Sequence, residues 1–148
     1  MAIIYLDASA LVKQYVQEIG SREVQKLIKS ADHSGTSLIT RTEMAAALAR
    51  AARTKILPSS EAQAAWNQFD GEWSALSRFY VSRQIIDRAA ELAWQFPLRG
   101  FDAVHLATAV LWQQTLETQI SVATFDRELW DAAQQAGLTV WPADLSIK

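Results

Sequence analysis

The sequence predicts an α/β fold in which a central parallel sheet is covered by helices on both faces. Three observations lead there. Short apolar runs alternate with longer stretches of helical period along the chain. The runs are too short and too continuously apolar to keep a solvated face, as strands buried on both sides must be. The first run ends directly on an aspartate, Asp7, and a later one is followed three residues on by another, Asp126. In parallel sheets, ligands bind beyond the carboxyl ends of the strands, where the winding direction reverses.

Ala2–Leu6 reads as the first buried strand. Alanine, leucine and valine then recur at helical spacing to about Ile19, and Gly20 stops that helix. Ser21 caps a second helix reaching about Ala31, with Val24, Leu27 and Ile28 as its apolar stripe. A short strand is expected over Thr36–Ile39. Thr40 or Thr42 caps a third helix that buries Met44, Ala47, Leu48 and Ala51. Pro58-Ser59-Ser60-Glu61 opens a fourth, proline being tolerated in a first turn. Phe79–Val81 is the next strand. Ile85 to about Phe96 is helical and Pro97 ends it, and Phe101 to about Thr115 is a strongly apolar helix. Ile120–Ala123 is a strand, Arg127–Ala136 a helix stopped by Gly137, and Leu138–Val140 the last strand. No repeat, low-complexity tract or linker interrupts the series, so one domain over residues 1–148 is expected.

Composition narrows the function classes. A net charge of −2 argues against a protein that coats nucleic acid through a broad basic surface, although Arg41, Arg50, Arg53 and Lys55 could supply a local basic rim. The absence of cysteine excludes disulfides and thiolate metal sites and agrees with a cytoplasmic protein. The first 20 residues lack a basic leader region, and Asp7 and Lys13 break their apolar runs, so neither a signal peptide nor a membrane span is expected.

Four acids carry the functional reading. Asp7, Asp102 and Asp126 each fall at a strand-to-helix junction or in the first turn of a helix, and Glu43 lies in the first turn of another. Each has an ordinary explanation: aspartate is a favoured N-cap, Thr124 competes with Asp126 for that role, and acids suit helix N-termini. Their joint placement is harder to explain so, because in a parallel sheet all such junctions face one end of the molecule. Carboxylates gathered there repel one another unless a cation is present. Mg²⁺ and Mn²⁺ are hard ions that prefer oxygen ligands and can stabilise charge on a phosphodiester.

The segment Ile3–Lys13 (IIYLDASALVK) resembles the opening of PIN-domain ribonucleases, particularly the VapC-type toxins of toxin–antitoxin pairs. TRTEMAAALAR (Thr40–Arg50), LRGFDAVHLATA (Leu98–Ala109) and VATFDRELWDAAQQAGL (Val122–Leu138) continue the resemblance in the family's order, carrying its second, third and fourth acids as Glu43, Asp102 and Asp126. The resemblance implies a three-layer PIN-like fold with strand order 3-2-1-4-5. It implies a Mg²⁺- or Mn²⁺-dependent endoribonuclease leaving a 5′-phosphate and a 3′-hydroxyl, with Asp7, Asp102 and Asp126 holding the metal. It also implies a homodimer silenced by a small VapB-like antitoxin.

Ser9 matches a family position where a small hydroxyl lies near the first acid, so it either orients a metal-bound water or is a polar residue of a first turn. Thr124 is either a cap or a contact near Asp126. His105, one turn beyond Asp102 on an apolar helix, reads as a hydrogen-bonded core residue. Asp70, Glu72, Asp87 and Asp131 read as solvated charges. Trp66, Phe69, Trp73 and Leu76 form a stripe at helical spacing, which is either core or an apolar groove for the antitoxin. An aspartyl-phosphate phosphatase would want a second acid where Ser9 stands, and a nucleotide-binding loop would want glycines that DASALVK lacks. No helix carries the basic cluster of a helix-turn-helix DNA binder. The remaining rival is a non-catalytic PIN-fold RNA-binding or scaffold protein, disfavoured by retention of all four acids.

Overall fold

The computed structural model describes residues 1–146. Five strands form one parallel sheet in the order β3-β2-β1-β4-β5: β1 (Ile3–Leu6), β2 (His33–Ser37), β3 (Ser77–Phe79), β4 (Ser121–Ala123) and β5 (Thr139–Trp141). The helices are α1 (Ala8–Leu11), α2 (Ser21–Ser30), α3 (Ile39–Arg53), α4 (Ser59–Glu72), α5 (Arg83–Gln95), α6 (Gly100–Leu116) and α7 (Arg127–Gln135).

The central strand shows why its sequence is continuously apolar. Ile3 and Tyr5 face one core with Ile85, Leu92, Leu106 and Leu129 from α5, α6 and α7. Ile4 and Leu6 face the opposite core with Leu11, Met44, Phe69 and Trp73. Alternate residues of a strand point to opposite faces, so a strand covered on both sides cannot alternate in polarity.

Several boundaries differ from the sequence reading. The first helix does not run to Ile19: it ends at Leu11 and tightens into a 3₁₀ turn over Val12–Gln14. The second strand lies at His33–Ser37, earlier than expected, and Ile39 opens a helix. Its sequence, HSGTS, carries almost no apolar signal; pairing with β1 makes it a strand, with Tyr5 opposite Gly35. The third strand is Ser77–Phe79 rather than Phe79–Val81, and Ser82 caps α5 through the Ile85 amide. Neither Thr40 nor Thr42 caps α3; Thr40 is buried and bonded to the Thr36 hydroxyl at 2.7 Å, while Thr36 donates to the Leu6 carbonyl at 2.6 Å. On α3, Met44 and Leu48 are buried but Ala47 is exposed.

Candidate active site

β1 and β4 are neighbours, and the chain winds away from them in opposite directions to β2 and β5. Asp7 follows β1 at once and is 3% exposed. It is the N-cap of α1: Oδ1 accepts the Ala10 amide at 3.1 Å and the Ser9 hydroxyl at 2.7 Å, and Oδ2 accepts the Thr124 hydroxyl at 2.6 Å. Asp126 likewise caps α7, its Oδ1 accepting the Leu129 amide at 2.9 Å. The capping reading is therefore true of both. Capping uses only part of a carboxylate's roughly four acceptor positions, and Asp126 spends one on it.

Ser9 and Thr124 share a design. Each hydroxyl donates to Asp7 and accepts an amide from the loop after β4: Phe125 to Ser9 at 2.9 Å, Asp126 to Thr124 at 3.1 Å. The two oxygens lie 3.3 Å apart. Together they clamp the start of α1 to the start of α7 and keep the first and fourth acids in register.

Glu43 and Asp102 come from the helices α3 and α6. Because α3 begins at Ile39, Glu43 lies in its second turn, not its first. Its Oε1 is 2.6 Å from Nε2 of His105, which is 2% exposed, and Nδ1 of that ring is 2.7 Å from the Tyr5 hydroxyl. Asp102 is the third residue of α6, which has no side-chain N-cap bond.

The acids feel one another. The Asp102 carboxyl is pushed up from 3.8 to about 6, first by burial, then by the charges of Asp126 and Asp7, with Glu43 adding less and His105 opposing. A helix N-terminus favours the ionised form by only ~0.3–1 kcal/mol, and here burial and like charge outweigh it. Burial also raises Asp7, against His105 and the hydrogen bonds from Thr124, Ser9 and Ala10. Tyr5 is held well above the usual phenol range by burial, then by Asp7 and Glu43. Residues from the β1–α1 junction, α3, α6 and the β4–α7 loop thus share one electrostatic neighbourhood.

All donors here are carboxylate oxygens, which suit hard cations and not thiophilic ones. Among the described residues, no three His, Asp or Glu side chains stand close enough to cage an ion. Mg²⁺ does not require a cage, since it is commonly held by one or two carboxylates together with retained waters and substrate phosphates. The donor set fits such an ion.

Other charges are engaged elsewhere. Arg41 pairs with Asp70 at 2.7 Å and lies over the Trp66 ring, so it is not a free member of a basic rim. Arg50 and Arg53 occupy the last turn of α3, roughly 10–15 Å along the helix axis from Glu43. Asp131 lies 3.7 Å from Arg127, Asp87 lies 4.0 Å from Arg83, and Glu72 accepts the Tyr15 hydroxyl at 3.1 Å. Of the aromatic stripe, Phe69 and Trp73 are core, with the Trp66, Trp73 and Tyr15 rings 5.2–5.6 Å from Phe69. Trp66 and Leu76 are half-buried, and Trp66 lines a groove between α3 and α4 with Leu48 and Ala52. The contact of His105 with Glu43 was missed in the sequence; its one signal was a histidine a single turn after Asp102, indistinguishable there from a core residue.

Residues 4–135 match the PIN domain family. The chain belongs to that family. Over 145 residues this PIN domain is 37% identical to Ribonuclease VapC45 of Mycobacterium tuberculosis (strain CDC 1551 / Oshkosh), covering 98% of this chain and 99% of that one. It is 31% identical over 141 residues to Ribonuclease VapC46 of strain ATCC 25618 / H37Rv, covering 95% and 97%. Among solved structures it shares its fold with PAE2754 from Pyrobaculum aerophilum, at a TM-score of 0.65 and 19% identity over 94% of this chain and 83% of that one. It also shares it with the VapBC-5 toxin–antitoxin system of Mycobacterium tuberculosis, at a TM-score of 0.59 and 18% identity over 95% and 96%.

Proposed function

We propose that this PIN domain is a divalent-metal-dependent endoribonuclease and the toxin of a toxin–antitoxin pair. The observation that carries the reading is the gathering of four carboxyl groups at one end of the sheet, where burial first, and then the charges of Asp126, Asp7 and Glu43, push Asp102 up to about 6. A scaffold gains nothing from such mutual repulsion. The two named relatives are ribonucleases by name, at 37% and 31% identity over nearly the whole chain.

Asp7, Asp102 and Asp126 are the residues that would hold Mg²⁺ or Mn²⁺, one or two of them directly and the rest through retained waters. An ion held there would supply charge to lower the pKa of a bound water and to offset the charge developing on the phosphodiester. Asp7 is kept in place by the Ser9 and Thr124 hydroxyls. Glu43 is pinned through Oε1, and its Oε2 has no protein hydrogen bond among the described residues. That oxygen orients the attacking water and accepts its proton. Attack at phosphorus breaks the bond to the 3′ oxygen, which leaves with the bonding pair and takes a proton from solvent water, giving a 3′-hydroxyl and a 5′-phosphate.

The antitoxin places an arginine or lysine among the carboxylates, replacing the metal's charge with paired hydrogen bonds. The enzyme acts as a homodimer in the cytoplasm, with residues 1–148 as one domain. Among the described residues no helix is long and apolar enough to cross a membrane.

Cleavage of an RNA panel in Mg²⁺ or Mn²⁺, with EDTA as control, tests the activity. Asp102→Asn should abolish it and leave the circular dichroism spectrum unchanged. Equal cutting in EDTA, or by the variant, refutes the mechanism. Co-expression with the gene beside it tests the pair: a chain that is fully active alone yet harmless to its host would sink the toxin reading.

A further inference from the structure

The buried chain Tyr5–His105–Glu43 spans three elements, β1, α6 and α3, with contacts of 2.7 and 2.6 Å. His105 and Tyr5 are each no more than 2% exposed, whereas the Glu43 side chain is 24% exposed. The chain thus runs from the core outward and ends on the acid. An ionised carboxylate only accepts, so Nε2 of His105 carries the proton that Glu43 receives. In a neutral imidazole Nδ1 is then bare and accepts a hydrogen bond from the Tyr5 hydroxyl, which fixes both the tautomer and the ring plane. Tyr5 packs edge-on against the same ring, with centroids 5.8 Å apart.

Glutamate is a long side chain that loses rotamer freedom when ordered, and Glu43 reaches the site from the second turn of α3 with no other protein hydrogen bond among the described residues. We infer that His105, set by Tyr5, is a positioning residue that holds Glu43 in its working rotamer. This rests on the catalytic reading of Glu43 given above. It also ties α6, the helix of Asp102, to α3, the helix of Glu43, so that the two acids move together.

The test is single-turnover RNA cleavage at saturating substrate and metal, with thermal melts run on every variant. Gln places an amide nitrogen near the position of Nε2, whereas Asn places one near Nδ1. His105→Asn should cut about 10–100-fold more slowly, as loss of a supporting hydrogen bond commonly does, and His105→Gln should recover most of the rate at a similar melting temperature. Tyr5→Phe, which removes one oxygen, should give a smaller fall. Glu43→Gln is the control. If Glu43→Gln is inactive while His105→Asn cuts like wild type, or if Asn and Gln lose rate equally, the positioning role is overturned. If Tyr5→Phe is unchanged in rate, the part assigned to Tyr5 is overturned. If Glu43→Gln cuts like wild type, the catalytic reading of Glu43 has failed and the inference falls with it.

Discussion

Asp102 sits in the first turn of α6, has no hydrogen bond among the described residues to reward its charge, and feels three other acids. Its folded-state value of about 6 stands above the ordinary 3.8 of an unfolded aspartate. The ionised form is therefore penalised by folding. The penalty is full above pH 6, declines as pH falls through that value, and is gone below about pH 4. In EDTA near pH 7.5, Asp102→Asn should melt higher than wild type, by ~2–4 °C for each ~1 kcal/mol of relieved repulsion. At pH 4 the two curves should coincide; a variant that melts lower at pH 7.5 would refute the repulsion. Burial raises Asp7 as well, but three hydrogen-bond donors oppose the rise and hold its carboxylate in place. Thr124→Val keeps the volume and removes one of them while orphaning the Asp126 amide, so a loss of about 1–3 kcal/mol in urea denaturation is expected. An unchanged midpoint would show that the clamp does not hold Asp7.

Elements were legible where their own residues carry the signal and obscure where a neighbour decides. The strand β1, the apolar helix α6 and the stop at Gly137, whose φ of 93° suits glycine, are written locally. The strand β2 is not: HSGTS becomes a strand because β1 and β3 offer hydrogen-bonding edges on either side. Its Gly35 lies under the Trp112 ring from α6, and a Cβ there would come within 2.8 Å of two indole carbons and 3.0 Å of Phe79. A rigid indole yields poorly, so Gly35→Ala should cost about 1–3 kcal/mol through overpacking. Equal stability to wild type in a denaturant titration would mean that Trp112 has room to move.

For the whole molecule, an ion that binds only the folded state adds stability, about 2.7 kcal/mol at a concentration about 100 times its dissociation constant. Mn²⁺ or Mg²⁺ should therefore raise the melting temperature of wild type and raise that of Asp102→Asn much less. Equal shifts would place the ion elsewhere. By itself, the sequence determined the fold class and that Asp7, Asp102 and Asp126 stand at helix starts, because hydrophobic period and junction residues are local properties of the chain. Glu43 it set one turn too early, since α3 begins at Ile39. Resemblance to a family supplied the strand order, which the pairing of β1 with β2 and β4 realises. Only the tertiary structure decided that Ser9 and Thr124 both serve Asp7, that Asp102 feels three other acids, and that His105 joins Tyr5 to Glu43. Those contacts span up to 117 residues of chain. Hydrogen bonds and Coulomb forces act over a few ångströms of space, and neither leaves a period in the sequence.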